Sequence, residues 1–153
     1  MKSKNFCNIK FKTVLIYILY FVLLFLPCCS RQPVYPEPPM IGSEVVIDVS
    51  NLDSKKPQFF SYHYRNKIIN FFVIKIDNKV LSFIDACTEC YPQKLGYRFD
   101  DGYIICRACN VRYSVSEVEK GFGSCYPIQI MGHLQDGKYL IPVSALKRMA
   151  FMF

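Results

Sequence analysis

Histidine is scarce in this 153-residue chain: there are two, His63 and His133. Neither stands at ligand spacing to a cysteine pair, so both are expected as structural or surface residues rather than metal ligands. Nothing resembles the nucleophile–base arrangement that hydrolases need. The seven glycines include no loop ending in Gly-Lys-Ser/Thr, which excludes a phosphate loop of that kind. A membrane span takes about 20 apolar residues, and the apolar run from Val14 to Leu26 is only 13 long. No Arg-Arg pair precedes that run, so the route for prefolded proteins is not indicated. Nor is there an internal repeat beyond two short cysteine motifs. The net charge of +7 owes much to Lys2, Lys4, Lys10 and Lys12; without them the balance is about +3, which is no nucleic-acid footprint.

What is present begins with those lysines. A basic start, the apolar run and Pro27-Cys28-Cys29-Ser30 read as a signal peptide or membrane anchor over residues 1–29. Leu26-Pro27-Cys28-Cys29 resembles a bacterial lipoprotein box, although a small residue is usual just before the acylated cysteine. Acylation at Cys28 or Cys29 and an uncleaved anchor both stay open. In either case the lysines remain inside and the rest of the chain is expected on the extracytoplasmic side, attached to the membrane. Residues 30–40 carry four prolines and no glycine, which favours extended polyproline geometry and a semi-rigid linker.

Residues 41–153 read as one small, mainly β domain, a sandwich or barrel. Strands are expected at Gln58–Tyr64, Lys67–Ile76 and Lys79–Ile84, the last two joined by the hairpin turn Asp77-Asn78. Tyr103–Ile105 and Lys138–Ile141 follow turn sequences at Asp100-Asp101-Gly102 and Asp136-Gly137, and a short helix is expected from Val143. The 24 phenylalanines and tyrosines serve as core and strand faces. A domain this size builds only a modest core, so a metal staple would help it.

Two C-x2-C pairs carry the chemistry: Cys87-Thr88-Glu89-Cys90 and Cys106-Arg107-Ala108-Cys109, with fifteen residues between them. That spacing reads as a four-thiolate metal site built from two knuckles. Zinc and iron–sulfur clusters both accept four thiolates. Asn110, directly after Cys109, suits the positive φ that lets backbone N–H groups face sulfur; Tyr91 after Cys90 suits it less.

The rival use of a C-x2-C pair is thiol–disulfide exchange, which needs the first cysteine at a helix start. Pro92 and Gly96 make poor helix material after Cys90. Paired disulfides are a further alternative, but Cys125 makes five cysteines in the domain and leaves one over. Cys125 itself reads either as a ligand exchanging with one of the four or as a small buried residue in a glycine loop. A third possibility is a structural module whose metal only holds the fold while an aromatic face binds a partner.

Phe83-Ile84-Asp85-Ala86-Cys87-x-x-Cys90-Tyr91, Lys94-x-Gly96-Tyr97-Arg98, Cys106-x-x-Cys109, Arg112-Tyr113 and Gly123-Ser124-Cys125-x-Pro127 together resemble the FtrD-like family of membrane iron–sulfur-containing proteins. The resemblance spans roughly residues 67–146; Ser124 and Tyr126 depart from it, where glycine and asparagine are usual. It implies metal binding at Cys87, Cys90, Cys106, Cys109 and Cys125. It also implies a role in bacterial iron uptake as an electron or metal relay, an accessory rather than an enzyme, with an iron permease or redox partner nearby. The layout is similar to a Rieske domain too, but a Rieske centre takes a histidine from each knuckle and this chain has cysteine at both positions. Clusters are normally assembled in the cytoplasm, and an unfolded exported chain cannot carry one. Zinc or another thiophilic ion can be captured outside. An iron–sulfur cluster and Zn2+ therefore both stand as expectations.

Overall fold

The structure, a computed structural model, describes Val14 and residues 16–21, 32–121, 123 and 125–153. The expectations for Cys28, Cys29 and Ser124 lie outside the described residues. The chain divides into two units, Met1–Ser30 and Arg31–Phe153. In the first, residues 16–21 are helical. Among the described residues no helix is long and apolar enough to cross a membrane.

The second unit is mainly antiparallel β, as the turn-and-strand pattern implies. Its central sheet has the order β3-β4-β5-β9, with β3 at Gln58–Tyr64, β4 at Lys67–Ile76, β5 at Lys79–Cys87 and β9 at Pro127–Ile130. The β4–β5 hairpin turns at Asp77, which takes a φ of +53°. An unbroken run such as Ile68-Ile69-Asn70-Phe71-Phe72-Val73-Ile74 would be wasteful in a strand with one wet face. Here both faces are covered, which is why the run does not alternate. Ile69, Phe71 and Val73 belong to one buried cluster, and Phe72 and Ile74 to another.

The first face is closed by a second sheet of order β1-β2-β11-β10, formed by Met40–Ile41, Glu44–Asp48, Lys138–Pro142 and His133–Gln135 respectively. Helix α1, Val143–Arg148, follows β11 directly. Val45, Ile47, Ile141 and Leu146 meet Ile69, Phe71 and Ile84 there. The second face is covered by a small sheet in the order β6-β7-β8, Tyr97–Asp100, Tyr103–Cys106 and Arg112–Ser114. Phe72 stacks on Phe83 at a centroid distance of 5.3 Å and meets Tyr97 edge-on at 6.3 Å. These side chains share their cluster with Cys87, Cys106 and Cys125. Each fully buried aromatic or aliphatic side chain contributes roughly 1.5–3 kcal/mol, so the cysteines sit on a firm apolar floor.

The observed bounds of β3 and β4 match the expected strands. Strand β5 runs three residues past Ile84 to Cys87, because Asp85, Ala86 and Cys87 are all buried as well. Residues 32–39 form no regular element, and part of this proline-rich segment is bonded to the domain. Asn70 Nδ2 donates to the Pro33 carbonyl at 2.6 Å, Tyr35 N donates to Ser61 Oγ at 2.8 Å, and Ser61 N donates to the Pro36 carbonyl at 3.1 Å. Ser61 Oγ in turn donates to Asn70 Oδ1 at 2.7 Å. Two fully buried polar side chains are thus satisfied by strapping this segment to β3 and β4.

Candidate metal centre

Three arms bring five sulfurs together. Strand β5 ends at Cys87, and the Cys90 N–H turns back to donate to Cys87 Sγ at 3.1 Å. A three-residue 3-10 turn, Tyr91–Gln93, follows with Pro92 inside it, and Lys94 closes it at a φ of +53°. That is not the long helix a thioredoxin-like pair needs to depress its first thiol. The second arm is tighter. Strand β7 ends at Cys106, Asn110 N donates to the Cys106 carbonyl at 2.9 Å, and Asn110 holds the expected positive φ of +60°. The third arm carries Cys125 two residues before β9, whose Pro127 lies opposite Cys87 past an irregularity in the β5–β9 pairing. Two tyrosines hold Cys125 by its backbone: Tyr97 Oη donates to its carbonyl at 2.7 Å, and its N–H donates to Tyr113 Oη at 3.2 Å.

Cys125 is the hub. Its Sγ lies 3.2 Å from Cys87 Sγ, 3.3 Å from Cys90 Sγ and 3.3 Å from Cys109 Sγ. The sulfurs of Cys87, Cys90, Cys106 and Cys125 all lie within 4.8 Å of one another. Cys87, Cys106 and Cys125 are buried, Cys90 is half-buried and Cys109 is exposed. A tetrahedral ion with metal–sulfur bonds of about 2.3 Å sets neighbouring sulfurs roughly 3.8 Å apart, so the contacts to Cys125 would open by about 0.5 Å around an ion. The all-thiolate donor set gathered within 4.8 Å fits a thiolate-bound metal.

Five thiols this close cannot all ionise. Burial raises Cys87, but hydrogen bonds from Cys125 and from the N–H groups of Cys90 and Glu89 outweigh it and hold that thiol low. Cys109 is likewise lowered: burial opposes it, while the Val111 N–H and the neighbouring thiols favour its thiolate. Cys90 accepts help from Cys125, yet burial and the neighbouring sulfurs of Cys109 and Cys87 push it up to about 12. Burial and the sulfurs of Cys87, Cys90 and Cys109 push Cys125 up. Burial also raises Cys106.

Asp85 stands behind this cluster. It is fully buried, on the same face of β5 as Phe83 and Cys87, and its Oδ1 accepts from Tyr97 N at 2.6 Å. Burial pushes its carboxyl up to about 8, against the N–H of Tyr97 and the Arg107 guanidinium, which pull it down. Arg107 itself donates from Nε to the Tyr97 carbonyl at 2.8 Å and from its backbone N to the Gly96 carbonyl at 2.9 Å. Asp85 Oδ2 and Gln32 Nε2 are the described buried side-chain atoms without a hydrogen-bond partner. Both residues line a cavity of about 10 Å3 beside Cys87 and Cys106. Asp85, Gly96, Tyr97 and Tyr113 stand in the motifs that carry the family resemblance, but the sequence assigned none of them a role at the site. The available signal was an acidic residue inside the apolar stretch Phe83-Ile84-Asp85-Ala86.

The histidines lie elsewhere, as expected. His63 Nδ1 is 3.2 Å from Glu37 Oε2 and His133 Nδ1 is 3.9 Å from Glu44 Oε1, both exposed. The carboxylates Glu89, Asp100 and Asp101 are exposed, and Asp100 pairs with Arg98 at 3.1 Å.

No curated protein matches the chain. The profile of a family described as membrane iron-sulfur containing protein FtrD-like matches residues 52–153, two-thirds of the sequence and all three cysteine arms. The thiolate cluster and that match agree, and the chain belongs to the FtrD-like family of membrane iron–sulfur-containing proteins.

Proposed function

We propose that the protein is a membrane-tethered, extracytoplasmic metal–thiolate protein that relays electrons or metal beside a bacterial iron transporter. The observation that carries this is the convergence of Cys87, Cys90, Cys106 and Cys125 within 4.8 Å. Support for one ion rather than a multi-iron cluster comes from that same spacing. Cysteines on different irons of a cluster stand apart across an inorganic core, whereas donors to one ion are near neighbours. A single iron on four thiolates is consistent with both an iron–sulfur family and a leader that exports an unfolded chain. Zinc is accommodated by the same donors.

The residues around the site divide the work. Cys87 and Cys106 anchor at strand ends, Tyr97 and Tyr113 fix Cys125 against them, and the apolar floor of Phe72, Phe83 and Ile104 keeps water from the buried side. Bound iron would supply a one-electron couple, with these hydrogen bonds and the burial setting its potential. The sidedness and tether rest on the leader's charge and apolar run.

Metal analysis with ultraviolet–visible spectra of protein purified without added metal tests the reading. One iron with thiolate charge-transfer bands, or one colourless zinc, supports it. Metal-free protein with its thiols blocked as disulfides, turning over in an insulin-reduction assay, would point to the rival thiol oxidoreductase.

A further inference from the structure

Four sulfurs, those of Cys87, Cys90, Cys106 and Cys125, lie within 4.8 Å of one another, a fifth, Cys109, touches Cys125 from outside that group, and their exposure is graded. Cys87, Cys106 and Cys125 are buried. Cys90 and Cys109, the second members of their knuckles, are half-buried and exposed, and each sits 3.3 Å from the central Cys125. A closed structural site has no use for a fifth thiolate at that distance.

We propose that Cys87, Cys106 and Cys125 form a fixed three-thiolate floor, and that Cys90 and Cys109 alternate as the fourth ligand, making Cys109 the exchange gate for the ion. This rests on the metal-binding function proposed above. In the exchange a bond from the ion to Cys109 forms as the bond to Cys90 breaks. Cys109 releases its proton and Cys90 takes one up. Four thiolates serve before and after, so charge is conserved and no electron moves. From Cys109 the ion faces solvent, where a thiolate-bearing acceptor or donor can attack it without the site ever falling below four ligands. The backbone allows this. Asn110, at positive φ, ends the turn that presents Cys109, while Cys90 lies in a turn tied by its own N–H to Cys87.

The test uses the reduced full chain in detergent, with Zn2+ for stoichiometry and transfer to a chromophoric chelator, and Co2+ for the thiolate charge-transfer bands. Wild type, C90S, C109S and the double variant are compared, with circular dichroism to check folding and C109A as a second change at the exposed position. Expected are one ion per chain in each single variant, with Zn2+ affinity of C109S within about threefold of wild type. Transfer from C109S and C109A should slow at least tenfold, and the double variant should lose at least a hundredfold in affinity. Loss of the ion in either single variant, or an unchanged transfer rate in C109S, overturns the exchange while leaving metal binding intact. A wild-type chain that binds neither Zn2+ nor Co2+ overturns metal binding and exchange together.

Discussion

Replacing Gly96 by alanine tests how the second arm is held to the first. Gly96 has a φ of +65°, and a Cβ there would lie 2.5 Å from Asp85 Oδ2 and 2.6 Å from Oδ1. The left-handed backbone alone costs an L-residue roughly 1–2 kcal/mol, partly offset by about 0.4–1 kcal/mol from the stiffer unfolded chain. The crowding adds more, because Asp85 is fully buried and cannot swing away. Pushing it aside breaks its bond from Tyr97 N and leaves a buried polar group unmatched, at about 1–3 kcal/mol. The sum is on the order of 2–4 kcal/mol. Gly102 supplies the control: its φ is +78° but a Cβ there meets nothing within 4 Å, so G102A should cost only the backbone strain. Urea unfolding of the chelated protein, followed by circular dichroism, measures both. Gly96 also accepts the backbone N–H of Arg107 inside the second knuckle, so G96A should weaken zinc binding and G102A should not. Equal destabilisation by the two substitutions, within about 0.5 kcal/mol, would refute the role given to Asp85.

Tyr97→Phe removes the donor to the buried Cys125 carbonyl; a stability loss of about 1–3 kcal/mol and weaker zinc binding are expected in urea unfolding and metal titration. Because burial raises the folded Asp85 carboxyl to about 8, the folded chain holds a proton there that the unfolded chain releases near pH 4. The Asp85 contribution to the stability of the metal-free protein should therefore be greatest below about pH 4 and fall as pH rises towards 8, by at most about 1.4 kcal/mol per pH unit. Asp85→Asn should flatten that slope in equilibrium unfolding, while the lowered thiols of Cys87 and Cys109 act with the opposite sign in both proteins and cancel in the comparison. A chelator should lower the thermal midpoint of the loaded protein, since the ion cross-links all three arms. The double change His63→Ala, His133→Ala should leave metal stoichiometry untouched, because both histidines pair with surface glutamates.

The knuckles were legible because cysteine spacing and turn residues are local. Asn110 after Cys109 and Pro92 after Cys90 foretold two different turns, and both occur. Strands β3 and β4 were legible for the same reason, their apolar runs being closed by Pro57 and by Asp77-Asn78. Short strands such as β1, β6 and β8 have too few residues to show a period, and pairing with distant partners creates them. Cys125 at the centre depends on where β9 lands beside β5, a contact 40 residues apart in register. No local pattern near Cys125 states that. Asp85 was visible as an anomaly in an apolar strand, but its partners Gly96 and Tyr97 become neighbours only once the β6–β7 ribbon folds over β5.

X-ray absorption at the metal edge of the purified, reduced full chain is the most direct check on a common cation among these sulfurs. One ion per chain with four sulfur neighbours near ~2.3 Å and no second metal in the shell beyond is the expected result. A short metal–metal vector accompanied by inorganic sulfide would contradict a single-ion site, and a chain free of metal with its sulfurs joined in disulfides would contradict metal binding altogether.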